Sequence, residues 1–117
     1  MLFTQNLKNT TIGLVLLAAL PAAAAAEEIC RFTTECFEGE ACSETAFDMT
    51  IAGDKLITDA ETIPVSTGGS ATKNVFVGYT ASAFHVLTRE KEGAARYSTH
   101  LFEGLMMVNY MGTCTSK

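Results

Sequence analysis

The chain has 117 residues, with 8 Lys and Arg against 13 Asp and Glu and a formal charge of −5. That balance lacks the basic footprint that phosphate binding needs, which excludes nucleic acid and an anionic membrane surface as natural partners. The length bounds the chain to a single domain, and a domain this small gains from covalent cross-links.

Residues 1–26 are expected to be a cleaved signal peptide. Lys8 supplies the positive start, residues 12–20 form a short apolar core, and Pro21 breaks the helix. Ala24, Ala25 and Ala26 meet the small-residue rule and place the cut after Ala26. The apolar run is shorter than the roughly 20 residues a span requires. No Cys stands at the cut, so neither an anchor nor a lipoprotein is expected. Residues 27–117 are then one exported domain, in a periplasm or the medium, with no membrane span after cleavage. Without Lys8 it carries seven basic and thirteen acidic residues, a formal charge of −6. The acids are front-loaded: Glu27, Glu28, Glu35, Glu38, Glu40, Glu44 and Asp48 face only Arg31.

Four cysteines, Cys30, Cys36, Cys42 and Cys114, lie in this domain. An even number in an oxidising compartment predicts two disulfides. The expected pairs are Cys36–Cys42, closing a short loop around Gly39, and Cys30–Cys114, tying the first strand to the last. The rival pairing is Cys30–Cys36 with Cys42–Cys114. The cysteine spacing does not match a zinc site, and no metal is expected on these thiols.

Residues 38–46 leave room for one turn of helix. Phe47, Met49 and Ile51 then alternate with Asp48 and Thr50, the period of a half-buried strand. Gly53-Asp54 reads as a turn. Short strands follow over residues 55–58 and 61–66, with Pro64 marking an edge. Residues 67–73, rich in Gly, Ser and Thr, read as a flexible loop of the kind that carries binding on a rigid scaffold. Strands over residues 74–79, 83–89, 94–102 and 105–111 complete the set, and no helical stripe is sustained. The fold class is all-β: a small antiparallel meander closing into a barrel or a sandwich, stapled by two disulfides.

The last strands also allow a register. A four-residue loop over residues 90–93 sets Val86 opposite Tyr97 and Phe84 opposite Thr99. A two-residue loop at Glu103-Gly104 sets Tyr97 opposite Tyr110, Thr99 opposite Val108 and Leu101 opposite Met106. One face then carries Phe84, Val86, Tyr97, Leu101, Met106, Val108 and Tyr110 as core. The other carries a candidate polar surface site of His85, Ser98 and Asn109, with His100, Arg96 and Met107 nearby.

A serine nucleophile needs a base within reach and a group to orient that base. No G-x-S-x-G elbow surrounds Ser98 and no oxyanion hole is defined. The row therefore reads as a solvated sheet face, and no catalytic residue, enzymatic activity or cofactor is expected. His85 and His100 with Met106, Met107 and Met111 are residue types that suit a soft metal such as Cu(I), although Met more often fills core gaps.

Gly93-Ala94-Ala95-Arg96-Tyr97 resembles, at its Gly and Tyr, the S-G-x-x-Y loop motif of small exported bacterial lysozyme inhibitors, which are disulfide-stapled β-barrels. Glu92 stands where that family has Ser, and its second, Lys-bearing motif is not found downstream. No functional residue is carried over. The functional expectation is an exported small β domain with a non-enzymatic binding or accessory role in the cell envelope. Its partner would be a basic envelope protein. The alternatives are an inhibitor of a basic envelope enzyme such as lysozyme, and a periplasmic metal-binding protein using His85, His100 and Met107.

Overall fold

The computed structural model describes residues 26–117, so the segment read as a signal peptide lies outside the described residues, apart from Ala26. The strands are β1 (Glu28–Phe37), β2 (Ser43–Ala52), β3 (Lys55–Ile57), β4 (Thr62–Pro64), β5 (Ser66–Gly69), β6 (Lys73–Tyr79), β7 (Ala83–Glu90), β8 (Ala94–Leu101) and β9 (Met107–Ser116). They form one antiparallel sheet in the order β4-β3-β2-β1-β9-β8-β7-β6-β5. Every neighbour but one is a hairpin partner. The exception sets β1 beside β9 and joins the two ends of the domain.

The edge strands β4 and β5 are separated only by Val65, so the chain itself runs from one edge of the sheet to the other. Val65 N–H donates to the Asp54 carbonyl at 2.9 Å. The sheet thereby curls into a nearly closed barrel, which hides most strand edges. Pro64, which cannot donate to a ladder, sits on the edge strand β4 as expected.

Period-two alternation makes the core. Ala83, His85 and Leu87 of β7 point inward, as do Ala95, Tyr97 and Thr99 of β8. Of these, Leu87, Ala95 and Tyr97 pack in one core with Phe32, Met49, Leu56, Ile63 and Phe76. Phe47, Tyr97 and Tyr110 surround Phe32 at ring-centroid distances of 5.9, 6.0 and 6.2 Å. The far end of the interior is closed by Arg89, which donates to Asn74 Oδ1 at 3.0 Å and pairs with Glu28 at 3.3 Å.

Both disulfides pair as expected, Cys30–Cys114 and Cys36–Cys42, and the rival pairing is excluded. Cys30 and Cys114 are buried and directly opposed on β1 and β9. Closing that long loop removes unfolded-state entropy worth about 4.6 kcal/mol in the chain-entropy model, against about 2.4 kcal/mol for the short one. Two disulfides fit an oxidising, non-cytoplasmic environment. No helix among the described residues is long and apolar enough to cross a membrane.

The β8–β9 register is the expected one, with Tyr97 opposite Tyr110 and Thr99 opposite Val108. Its loop is longer than a two-residue turn, but Leu101 N–H donates to the Met106 carbonyl at 2.8 Å and preserves the register. The β7–β8 register is slipped by one residue. Its loop is Lys91-Glu92-Gly93, closed by Gly93 N–H donating to the Glu90 carbonyl at 2.9 Å, with Gly93 at φ +112°. Leu87, not Val86, therefore faces Tyr97, and His85 faces Thr99. A one-residue slip exchanges the faces, so Phe84 and Val86 leave the expected core and His85 enters it.

Two further corrections concern elements. Thr67, Gly68 and Gly69, expected in the loop, belong with Ser66 to strand β5, held by β6 although all four are exposed. Residues 38–46 hold a turn followed by the start of β2.

Candidate functional site

The interior polar cluster grows from the register of β7 and β8. His85 is 2% exposed. Its Nδ1 shares a 2.6 Å hydrogen bond with the Tyr97 hydroxyl, and its Nε2 shares a 3.0 Å bond with Thr80 Oγ1. Thr80 in turn lies 3.2 Å from Ser82 Oγ. The His85 and Tyr97 rings stack at an interplanar angle of 4°. Burial lowers the His85 pKa below its ordinary 6.5, and the Glu61 carboxylate only partly offsets this. Tyr97 is raised above its ordinary range by burial, then by the charge of Glu61 and by Tyr110. Tyr110 is pushed up to about 12, by burial first and then by its hydrogen bond to Glu35 and that group's charge. At neutral pH these groups are uncharged, which suits a hydrogen-bonded core. The Thr99 hydroxyl, buried opposite His85, has no hydrogen-bond partner among the described residues.

Of the four residues in the expected polar surface site, three lie outside the barrel and one inside. Ser98 donates to Asn109 Oδ1 at 2.6 Å on the outer face. His100 stands on that face opposite Met107, with its ring edge-on to Phe84 at 6.5 Å. His85 is on the other side of the wall, bonded to Tyr97 and Thr80. The Ser–His–Asn row is therefore not assembled, because the base and the hydroxyl are separated by the sheet. The soft-metal set is dispersed for the same reason, with His85 inside and His100 outside. Among the described residues no group of three or more His, Cys, Asp or Glu is placed to hold a metal ion.

The segment 93–97 does not form an exposed loop. It is the end of a hairpin and the start of β8, and Tyr97 is 4% exposed. The feature on which the likeness to lysozyme inhibitors rests is thus part of the core.

A surface that the sequence did not reveal lies at the end of the barrel built by the β1–β2, β6–β7 and β8–β9 connections. Tyr79 is 73% exposed, Phe102 54% and Leu105 88%, and Phe84 and Met106 are also exposed. Phe84, His100, Phe102, Leu105, Met106 and Met107 line one shallow groove together with Glu38. Phe84 also borders a second groove with Pro64, Val65, Val77 and Tyr79, so the apolar surface is continuous across it.

The β8–β9 loop is braced on both sides. Phe102 N–H donates to the Ser82 carbonyl at 3.0 Å. Met107 N–H donates to Glu38 Oε2 at 3.2 Å, and Glu38 N–H donates to the Met107 carbonyl at 3.2 Å. Within this loop Leu105 sits at φ +51°, the one non-glycine residue at positive φ among those described. A left-handed backbone costs a residue with a β-carbon about 1 kcal/mol or more. At 88% exposure, Leu105 gets little packing in return. Residues 105–111 are expected as strand with Met106 on its core face, but Leu105 and Met106 are exposed in the β8–β9 loop and β9 begins only at Met107.

The same end carries charge. Glu38, Glu40 and Glu44 are exposed in and beside the β1–β2 turn, which the Cys36–Cys42 disulfide closes, and Glu103 is exposed in the β8–β9 loop. No protein-family model matches the chain, and neither curated proteins nor solved structures give a match.

Proposed function

We propose that this chain is an exported, non-enzymatic binding module of the cell envelope, working in the periplasm or the medium, and that its partner is a basic protein. The observation that carries this reading is the acidic, disulfide-closed turn at one end of the barrel. Glu38, Glu40 and Glu44 are exposed there, and residues 37–43 include no Lys or Arg. A fixed cluster of one sign steers an oppositely charged protein and sets which partners are rejected. An inhibitor of a basic envelope enzyme such as lysozyme is a special case of this reading, and the same acidic end favours it.

The test is retention of envelope proteins on the immobilised chain at low and raised salt. A parallel column carries the combined variant Glu38→Gln, Glu40→Gln, Glu44→Gln. The expected result is a basic protein retained at low salt, released as salt rises, and held at least tenfold more weakly by the variant. Equal retention by both columns, or no salt-sensitive basic protein, refutes the reading. Lysozyme activity with and without the protein decides the inhibitor case.

A further inference from the structure

Complementary charge steers a partner and sets its register more than it supplies affinity. We infer that Leu105 is the anchor of the docking surface, an apolar knob that enters a pocket of the basic partner while the neighbouring carboxylates face its cations. This deepens the reading above and rests on it.

Three observations converge on Leu105. It is the most exposed of the large apolar side chains among the described residues. Its backbone is held at φ +51°, a conformation that Gly or Asn would adopt more readily. The loop that carries it is tied to the β6–β7 turn through Phe102 and to the β1–β2 turn through Met107 and Glu38. A knob already fixed in place loses little freedom on binding, and this preorganisation raises affinity. An exposed apolar side chain on strained backbone is unfavourable for the free protein, so its use lies in a complex.

The surroundings select the occupant. Phe84, Phe102 and Met106 line the same groove as Leu105, giving the apolar centre of an interface, where aromatic residues and Met are enriched. Glu38 lines the same groove, and Glu103 is exposed in the same loop two residues before Leu105. A second copy of this chain would set those carboxylates against their own kind, and like-charge juxtaposition is penalised. A protein with Lys or Arg around an apolar pocket matches both parts. His100, edge-on to Phe84, adds a polar contact on the same groove.

The experiment places a photoreactive residue at position 106 of the full chain in an exporting host and identifies the adducts by mass. The Leu105→Asn variant of the same protein serves as comparison. Asn tolerates positive φ, so the variant is expected to unfold at the same denaturant concentration as the parent or a higher one. Its adduct with a basic protein should fall at least tenfold. A variant that unfolds distinctly earlier shows Leu105 to be structural and overturns the inference. So does an adduct formed equally with and without Leu105, or one formed only with a second copy of the chain or with an acidic protein. If a salt-sensitive basic partner is retained equally by the parent and Leu105→Asn, the binding-module reading stands and the anchor alone fails. If no basic partner is found by either route, both fail.

Discussion

Lowering the pH through 6.5 is expected to weaken the fold through His85. A free imidazole takes its proton near 6.5. In the barrel the ring is 2% exposed and shares both nitrogens with hydroxyls, Tyr97 at 2.6 Å and Thr80 at 3.0 Å. Burial lowers its pKa, and the carboxylate of Glu61 offsets only part of that. The unfolded chain therefore binds the proton first. The contribution of a neutral His85 is fully present above 6.5 and is lost as pH falls toward the lower folded-state value. One proton sets the limit, a slope of at most about 1.4 kcal/mol per pH unit within that window. Denaturant titrations of the parent and of His85→Gln between about pH 7.5 and pH 5 measure it. The variant should be weaker at neutral pH by about 1–3 kcal/mol, since Tyr97 and Thr80 lose a well-placed partner. The gap should then narrow on acidification, because only the parent has this proton to bind. Parallel curves, or a parent that gains stability as pH falls from neutrality, would refute the reasoning.

Gly112→Ala should destabilise the barrel by about 1–3 kcal/mol or block folding, as overpacking does. A β-carbon there would collide with the Arg31 carbonyl and come within 2.6 Å of Phe32 Cα, whereas one at Gly68 meets nothing within 4 Å, so Gly68→Ala should be near neutral in the same denaturation assay. The pair Cys30→Ala, Cys114→Ala should lower stability by about 4.6 kcal/mol in the chain-entropy model, roughly twice the loss for Cys36→Ala, Cys42→Ala. A larger loss from the short loop would contradict that ranking. At alkaline pH the signs reverse: Tyr97 and Tyr110 stay neutral in the fold beyond 10, with Tyr110 pushed up to about 12. Stability should be intact below 10 and fall as pH rises through 10 toward the folded values. Phenolate absorbance followed alongside denaturation checks this.

The parts of the fold legible in the sequence are those where apolar alternation or covalent chemistry leaves one choice. Phe47, Met49 and Ile51 read as a strand and form part of β2. Four cysteines with Gly39 between two of them led to the pairing that is observed. The β8–β9 register was legible because Tyr97 and Thr99 on one strand must share a face with Val108 and Tyr110 on the other. The β7–β8 loop was not, since Glu90, Lys91 and Glu92 are polar whether they end a strand or begin a turn. That single residue decides which side of the wall His85 occupies. The rest of β5, residues 67–69, is not legible as strand because these residues are exposed and carry no inward pattern. The apolar end was missed because it depends on the backbone angle of Leu105 and on three connections meeting, neither of which leaves a periodic trace.

The most direct test is native mass spectrometry of the protein purified at low salt from an exporting host. The account predicts a chain that begins at Glu27 and carries both disulfides, together with a complex with a basic protein that dissociates as salt is raised. A bound metal or small molecule without a protein partner, or a full-length chain with four free thiols, would contradict it.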